Sequence, residues 1–178
     1  MKGDFRFDHI GNIELLDLNI VGFLASKIHD DNQEQSTQQW LYKIIGSKTP
    51  QNEYLSQKND FSHKRFSEKQ TAVISGFQSK LEKTVLDELL KHKHPTIMVL
   101  GRGIYETPPQ EYQAHIDGGY LLILSPFSQG VNHTTQSQAF VRNYIVAQKS
   151  NELFVGSLSP NGMVDKVLKE INTSYTQL

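Results

Sequence analysis

The sequence has 178 residues, of which 37% are hydrophobic and 21% charged, and a chain of this size can bury a core of its own. Its 18 lysines and arginines against 19 aspartates and glutamates give a formal net charge of -1, which argues against a surface built for bulk nucleic acid or anionic lipid but allows a local basic patch. The absence of cysteine excludes disulfides and thiol chemistry, and with no membrane-spanning apolar run and no signal-peptide core we expect a cytoplasmic protein.

Short apolar runs alternate with amphipathic stretches along the chain. The runs are too brief for buried helices and fit the central strands of a sheet. Predicted strands cover residues 19–25, 71–75, 96–100, 121–125 and 152–156. Predicted helices cover residues 34–45, 79–93, 136–148 and 163–171. The clearest of these helices begins with a capping box formed by Ser79 and Glu82.

Two segments stand outside this alternation. Residues 1–18 fit either an edge strand or an added helix. Residues 46–70 are polar and mixed in charge, which is typical of a surface insertion. We therefore expect one domain over residues 1–178, with its core at about residues 19–172.

Strands that alternate with helices indicate parallel pairing, because each parallel strand needs a crossover connection to reach the next. The sequence therefore predicts an α/β fold with a doubly wound, mostly parallel, Rossmann-like sheet and helices on both faces. In such sheets ligands bind at the carboxyl ends of the strands, near the point where the strand order reverses.

The residues that follow the predicted strands form a surface that we call the carboxyl rim. It consists of Ala25-Ser26-Lys27, Ser75-Gly76-Phe77, Gly101-Arg102-Gly103, Ser125-Pro126-Phe127 and Gly156-Ser157-Leu158-Ser159. Glycines let backbone amides approach an anion, and hydroxyls and two cations accompany them, so a phosphate or a nucleotide is the expected ligand. Glycine and serine also form ordinary tight turns in any such sheet, and that interpretation stays open.

Motifs for a cofactor or a metal are missing. There is no Gly-x-Gly-x-x-Gly that opens a helix and no Walker-type phosphate loop. His29, Asp30 and Asp31 suit either a divalent ion or the start of a helix, and the helix start is the simpler interpretation. His92 and His94 lie at a helix end, where cations suit the helix dipole. We predict no metal and no cofactor.

The helix at residues 136–148 presents an apolar stripe. We expect four side chains of this stripe to face inward, namely Phe140, Val141, Tyr144 and Ile145. Arg142 and Asn143 flank them. From the residues alone, Arg142 is a surface arginine on a packed helix.

The order of these motifs resembles the Rossmann core of the DNA-processing protein DprA (Smf) family over about residues 19–172. That family shows Gly-Ser-Arg, Ser-Gly and Gly-x-Gly after its first three core strands, then a Phe-x-x-Arg-Asn-Arg-x-Ile signature. The residues that match, in chain order, are Ala25-Ser26-Lys27, Ser75-Gly76, Gly101-Arg102-Gly103, Phe140, Arg142, Asn143 and Ile145. The family's second signature arginine is Tyr144 here, and its Gly-Ile-Asp stretch is replaced by residues 78–82.

The resemblance implies a domain that binds a nucleotide or the phosphates of nucleic acid and is not catalytic. The implied ligand-binding residues are Ser26, Lys27, Ser75, Gly76, Phe77, Gly101, Arg102, Gly103, Arg142, Asn143 and Ser157. Apart from the resemblance, a ring at position 77 is more often part of the core, but because Phe77 follows a strand-end glycine it is also a candidate for stacking on a base. Implied partners are single-stranded nucleic acid and a recombinase of the RecA type, and a homodimer fits the fold, whereas no membrane is expected.

Two other functions stay open. The wider superfamily includes the LONELY GUY phosphoribohydrolases, so the chain could be a nucleotide-processing hydrolase or transferase. Their catalytic glutamate position corresponds to Leu168, with Asp165 or Glu170 as substitutes. The third interpretation is a protein-interaction adaptor whose ligand site is vestigial.

Overall fold

The computed structural model describes residues 5–46 and 70–178. Its strands are β1 (Asp8–Gly11), β2 (Asn19–Ala25), β3 (Thr71–Ser75), β4 (Thr96–Val99), β5 (Leu121–Ser125), β6 (Glu152–Ser157) and β7 (Thr176–Gln177). Its helices are α1 (Asp31–Ile44), α2 (Lys80–Lys91), α3 (Gln110–Asp117), α4 (Gln136–Lys149) and α5 (Met163–Ile171), with a 3₁₀ helix at Ile13–Asp17. No helix in these two stretches is long and apolar enough to cross a membrane.

The seven strands form one sheet in the order β1-β5-β4-β3-β2-β6-β7. All neighbours pair in parallel except β1, which runs antiparallel to β5. The chain moves outward from β2 to β5, and α4 then returns it to β6 on the other side of β2. The strand order therefore reverses between β2 and β6, and this is the place where open parallel sheets form a ligand crevice.

Helices cover both faces of the sheet because the central strands, β2 to β6, carry buried side chains on both sides. On one face, a core cluster joins α1 and α2 to the sheet through side chains such as Trp40 and Leu81, and α3 packs at its margin. On the other face, a second cluster joins α4 and α5 through side chains such as Ile145 and Val167. Three of the helices begin with capping boxes that fix where they start, namely α1, α2 and α4.

The predicted fold class is confirmed, and the five predicted strands form the parallel core of the sheet. Residues 8–17, for which a strand and a helix were both open, supply an edge strand and then a short 3₁₀ helix. The predictions missed α3 and β7. Helix α3 has no buried residue and no side-chain cap, and β7 is two exposed residues long. Apart from its end residues, the proposed insertion at 46–70 lies outside the described residues.

Candidate functional site

The ends of β2 and β6 are tied together at the point where the strand order reverses. The Ser26 amide donates to the Ser157 carbonyl (2.9 Å), and the Ser157 hydroxyl donates back to the Ser26 carbonyl (3.1 Å). The Ser159 amide donates to the Ser26 hydroxyl oxygen (2.9 Å). Both serine side chains are buried, so their hydroxyls hold the two strand ends at a fixed spacing.

Arg142 occupies the space beside the glycines that end β3 and β4. A Cβ atom built on Gly76 would lie 2.7 Å from Arg142 Cδ, and one built on Gly101 would lie 3.5 Å from Arg142 Nη1. The arginine side chain is only 6% exposed. The space where a side chain would stand on Gly76 is therefore occupied by Arg142, which also reaches toward Gly101.

A buried carboxylate accompanies this arginine. Glu82, only 2% exposed, accepts hydrogen bonds from the amides of Ala25 (3.1 Å), Gln78 (2.7 Å) and Ser79 (3.0 Å). Burial lowers the pKa of Arg142 from its ordinary value, and the negative charge of Glu82 opposes that shift. The opposite charges of α2 and α4 thus offset each other beneath the rim, and Glu82 also holds the end of β2.

Helix α4 is oriented differently from the predicted stripe. Arg142 and Asn143 are 6% and 4% exposed, whereas Phe140 and Val141 are only partly buried. The helix crosses β2, β3 and β4, so the face that carries Arg142 lies against the sheet. The Arg142 Nε–H group donates to Asn143 Oδ1 (3.0 Å), which satisfies part of its hydrogen-bonding capacity. The interpretation of Arg142 as a surface arginine is therefore wrong.

Phe77 is buried as well. Its side chain is 3% exposed and packs into the core cluster on the α1–α2 face, together with Leu81 and Met98. Its backbone has a φ of 50°, in the left-handed region, and this turns the chain so that the ring enters the core. Of the two interpretations of Phe77, the position of the ring agrees with core packing, because the ring faces the interior.

Most of the predicted site residues are buried at the carboxyl rim and do not reach solvent. Those that are buried are Ser26, Ser75, Gly76, Phe77, Gly101, Gly103, Arg142, Asn143 and Ser157. Lys27 is exposed and Arg102 is partly exposed. Within residues 5–46 and 70–178, neither of these two side chains has an ion-pair partner.

Further cations lie beside this rim in the first turns of two helices. Lys80 and Lys83 begin α2 after the end of β3, and Lys166 begins α5 after β6; all three are exposed. Sequence reasoning missed them, although a lysine in the first turn of a helix that follows a parallel strand must lie near the strand's carboxyl end. The first turn of α1 is acidic instead, through Asp31 and Glu34.

The loop that follows β5 covers the end of β4. The Gly103 amide donates to the Val131 carbonyl (2.8 Å), and the side chain of Thr134 lies over Gly101. The Ser125 hydroxyl donates to the Arg102 carbonyl (2.6 Å), which fixes the backbone of Arg102 against β5. Arg142 and this loop therefore occupy the space beside Gly76 and Gly101 at this part of the rim.

The residues considered for metal binding and catalysis have structural contacts instead. The described part of the chain contains no group of three potential ligands that could hold a metal ion. Asp30 caps α1, as the helix-start interpretation predicts. Leu168 is buried in the core, and Asp165 accepts hydrogen bonds from the Asn161 amide and from Lys169 Nζ, both at 2.8 Å. These hydrogen bonds, that from Lys169 first, lower the pKa of Asp165.

A cavity of about 170 Å³ lies at the opposite end of the sheet, where β6 begins. Its lining includes Ser150, Asn151, Glu152, Thr173 and Tyr175. It contains no cation, and its charged residue is a carboxylate, so it does not suit a phosphate. The carboxyl rim remains the candidate site.

A doubly wound, mostly parallel sheet whose strand order reverses between β2 and β6 defines a Rossmann-like α/β protein. The family model of DNA recombination-mediator protein A matches residues 31–159, and the chain belongs to that family. The predicted resemblance is confirmed. A comparison with curated proteins gives no significant match.

Two solved structures share the fold. DNA processing protein A (DprA) from Streptococcus pneumoniae superposes with a TM-score of 0.63 at 16% identity, over 96% of this chain and 54% of the pneumococcal chain. DNA processing protein A from Helicobacter pylori, a protein with a described single-stranded DNA binding mode, superposes with a TM-score of 0.64 at 14% identity, over 96% and 70% of the two chains. This chain thus spans about half the length of its pneumococcal relative.

Proposed function

We propose that this protein binds single-stranded nucleic acid along its carboxyl rim, through the phosphates and without catalysing a reaction. The observation that carries the proposal is the difference in solvent exposure between the cations. Arg142 is buried, with the negative charge of Glu82 acting on it, whereas Lys27 and Arg102, at the ends of β2 and β4, reach solvent without ion-pair partners among the described residues.

Separated, solvent-exposed cations suit an extended ligand better than a compact one. A mononucleotide gains affinity when a pocket encloses it, and the space beside Gly76 and Gly101 is already filled. A single strand instead presents one phosphate after another, so Lys27, Arg102 and the lysines of the first turn of α2 each contribute a modest contact. A local basic surface of this kind is compatible with the net charge of -1.

Family membership supports the same proposal. The chain belongs to a family named for DNA recombination mediation, and the Helicobacter pylori relative binds single-stranded DNA. Contact with a RecA-type recombinase, homodimerisation and a cytoplasmic location are further parts of the proposal, and the recombinase contact rests on this membership alone.

The test is a titration of a fluorescently labelled oligothymidylate with the protein at several salt concentrations. We expect binding that weakens with salt, and we expect Lys27→Ala and Arg102→Ala each to lower the slope of log K against log salt by about 0.7, the value for one phosphate contact with a single strand. Lys43→Ala is the matched control, because Lys43 is an exposed lysine in the last turn of α1, at the other end of the sheet.

Absence of binding would overturn the proposal, as would binding that neither rim substitution weakens. Incubation with nucleoside monophosphates tests the enzymatic alternative directly. Release of free base or of phosphate would favour the hydrolase or transferase over the binding protein.

A further inference from the structure

Arg102 is held over an aromatic ring. Its Cζ atom lies 4.3 Å from the centroid of the Tyr105 ring, within the range of a cation–π contact. Both residues belong to the loop after β4, and both are partly exposed. This contact favours one arrangement of the Arg102 side chain before any ligand arrives.

The ring beneath Arg102 is itself anchored. Tyr105 and Tyr112 pack against the core cluster of the α1–α2 face. The loop after β4 carries Tyr105 and helix α3 carries Tyr112, so the loop and this helix, which no sequence pattern predicted, are anchored on the same cluster.

The backbone of Arg102 is fixed as well. Its carbonyl accepts from the Ser125 hydroxyl (2.6 Å), and the next amide, that of Gly103, donates to the Val131 carbonyl (2.8 Å). None of these contacts uses the guanidinium N–H groups, which make no hydrogen bond within the described residues. The backbone of Arg102 is thus held by hydrogen bonds, and one face of its guanidinium lies on the Tyr105 ring. Its N–H groups remain available to a ligand.

We propose that Tyr105 is a positioning residue that presents the guanidinium of Arg102 to one phosphate of a single-stranded nucleic acid, in a bidentate contact. The inference rests on the proposed function. A planar fork of N–H donors matches two phosphate oxygens, and prior confinement of the side chain reduces the conformational entropy that binding would otherwise cost. A lysine at this position would keep the charge and lose both the stacking plane and the fork.

The experiment is a double-mutant cycle in the oligothymidylate titration, using Arg102→Ala and Tyr105→Leu. Leucine keeps an apolar side chain against the core but removes the aromatic face. We expect Arg102→Ala to weaken binding about tenfold and to lower the salt slope by about 0.7, and Tyr105→Leu to weaken binding about threefold to tenfold. In the Arg102→Ala background, Tyr105→Leu should have no further effect, because its influence passes through Arg102.

Two conservative variants complete the test. Tyr105→Phe keeps the ring and should bind as the wild type does, whereas Arg102→Lys should bind more weakly with an unchanged salt slope. Thermal unfolding of every variant confirms that the fold is retained. Fully additive effects of Arg102→Ala and Tyr105→Leu would overturn the inference while leaving the proposed function intact, and so would weak binding by Tyr105→Phe. If the wild type binds no oligonucleotide, the proposed function fails and this inference fails with it.

Discussion

Arg142 lies so close to Gly76 that position 76 has no room for a side chain. A Cβ atom there would be 2.7 Å from Arg142 Cδ and 3.1 Å from Arg142 Cζ. The glycine at the end of β3 thus admits the arginine of α4, a residue far away in the sequence. The relationship explains how a charged side chain can be buried beneath the carboxyl rim without distorting the sheet.

Gly76→Ala should destabilise the protein by about 1–3 kcal/mol, because the added methyl group must displace a side chain that is confined on all sides. The change is measured as a lower free energy of unfolding in urea. Gly130→Ala is the control, since nothing lies within 4 Å of a Cβ atom at that position. In an Arg142→Ala background the cost of Gly76→Ala should shrink, and an equal cost in both backgrounds would contradict the steric explanation.

Glu82→Gln should destabilise the protein by about 1–3 kcal/mol. Both carboxylate oxygens accept from backbone amides, and a glutamine would direct its own NH₂ group toward at least one of these donors. The substitution also removes the negative charge that offsets Arg142. Glu88→Gln on the same helix is the control, because Glu88 is only partly buried and its ion pairs are exposed to solvent. Equal effects of the two substitutions would contradict the structural role of Glu82.

Acidification should weaken the fold through His94. Burial lowers its pKa from the ordinary value of 6.5, while hydrogen bonds to the carbonyls of Pro95 and Ile44 act in the opposite direction. Below pH 6.5 the unfolded chain binds a proton that the folded chain does not, so this contribution to stability is present above that pH and is lost as pH falls through the folded pKa.

The measurement is the melting temperature at intervals from about pH 8 to about pH 5, for the wild type and for His94→Gln. The stability advantage of the wild type should narrow on acidification, because glutamine does not titrate. His133→Gln, in an exposed loop, should follow the wild-type curve throughout. A constant difference between wild type and His94→Gln would show that His94 does not contribute to the pH dependence.

The parallel core could be predicted because its signals are local. Residues 19–25, 71–75 and 121–125 are continuous apolar runs bounded by polar residues, and the strands have those bounds. The capping box of Ser79 and Glu82 gave the start of α2. Helix α3 carries no such signal, because none of its residues is buried and its first turn follows Pro109 without a side-chain cap.

The arrangement of the site depends on contacts between residues distant in the sequence, which a single sequence does not display. The sequence identifies Glu82 as part of a helix cap, whereas the hydrogen bond that its carboxylate accepts from the amide of Ala25 is visible only in the structure. Arg142 can be buried only because Glu82 and Gly76 meet it there. The sequence around Phe77 left core packing and base stacking both open, and the left-handed backbone that turns its ring into the core is visible only in the structure.

The lysines of the first turn of α2 should contribute to binding although no motif marks them. Lys80 and Lys83 are exposed and follow the end of β3, between the strand ends that carry Lys27 and Arg102. Replacing both by glutamate changes the local charge by four units, so oligothymidylate affinity should fall by about tenfold or more, with a smaller salt slope. Lys43→Glu, at the other end of the sheet, should have little effect. If replacing Lys80 and Lys83 by glutamate leaves the affinity for oligothymidylate unchanged while Lys27→Ala and Arg102→Ala weaken it, the bound nucleic acid does not pass over α2. Its path then runs from the end of β4 toward the end of β6.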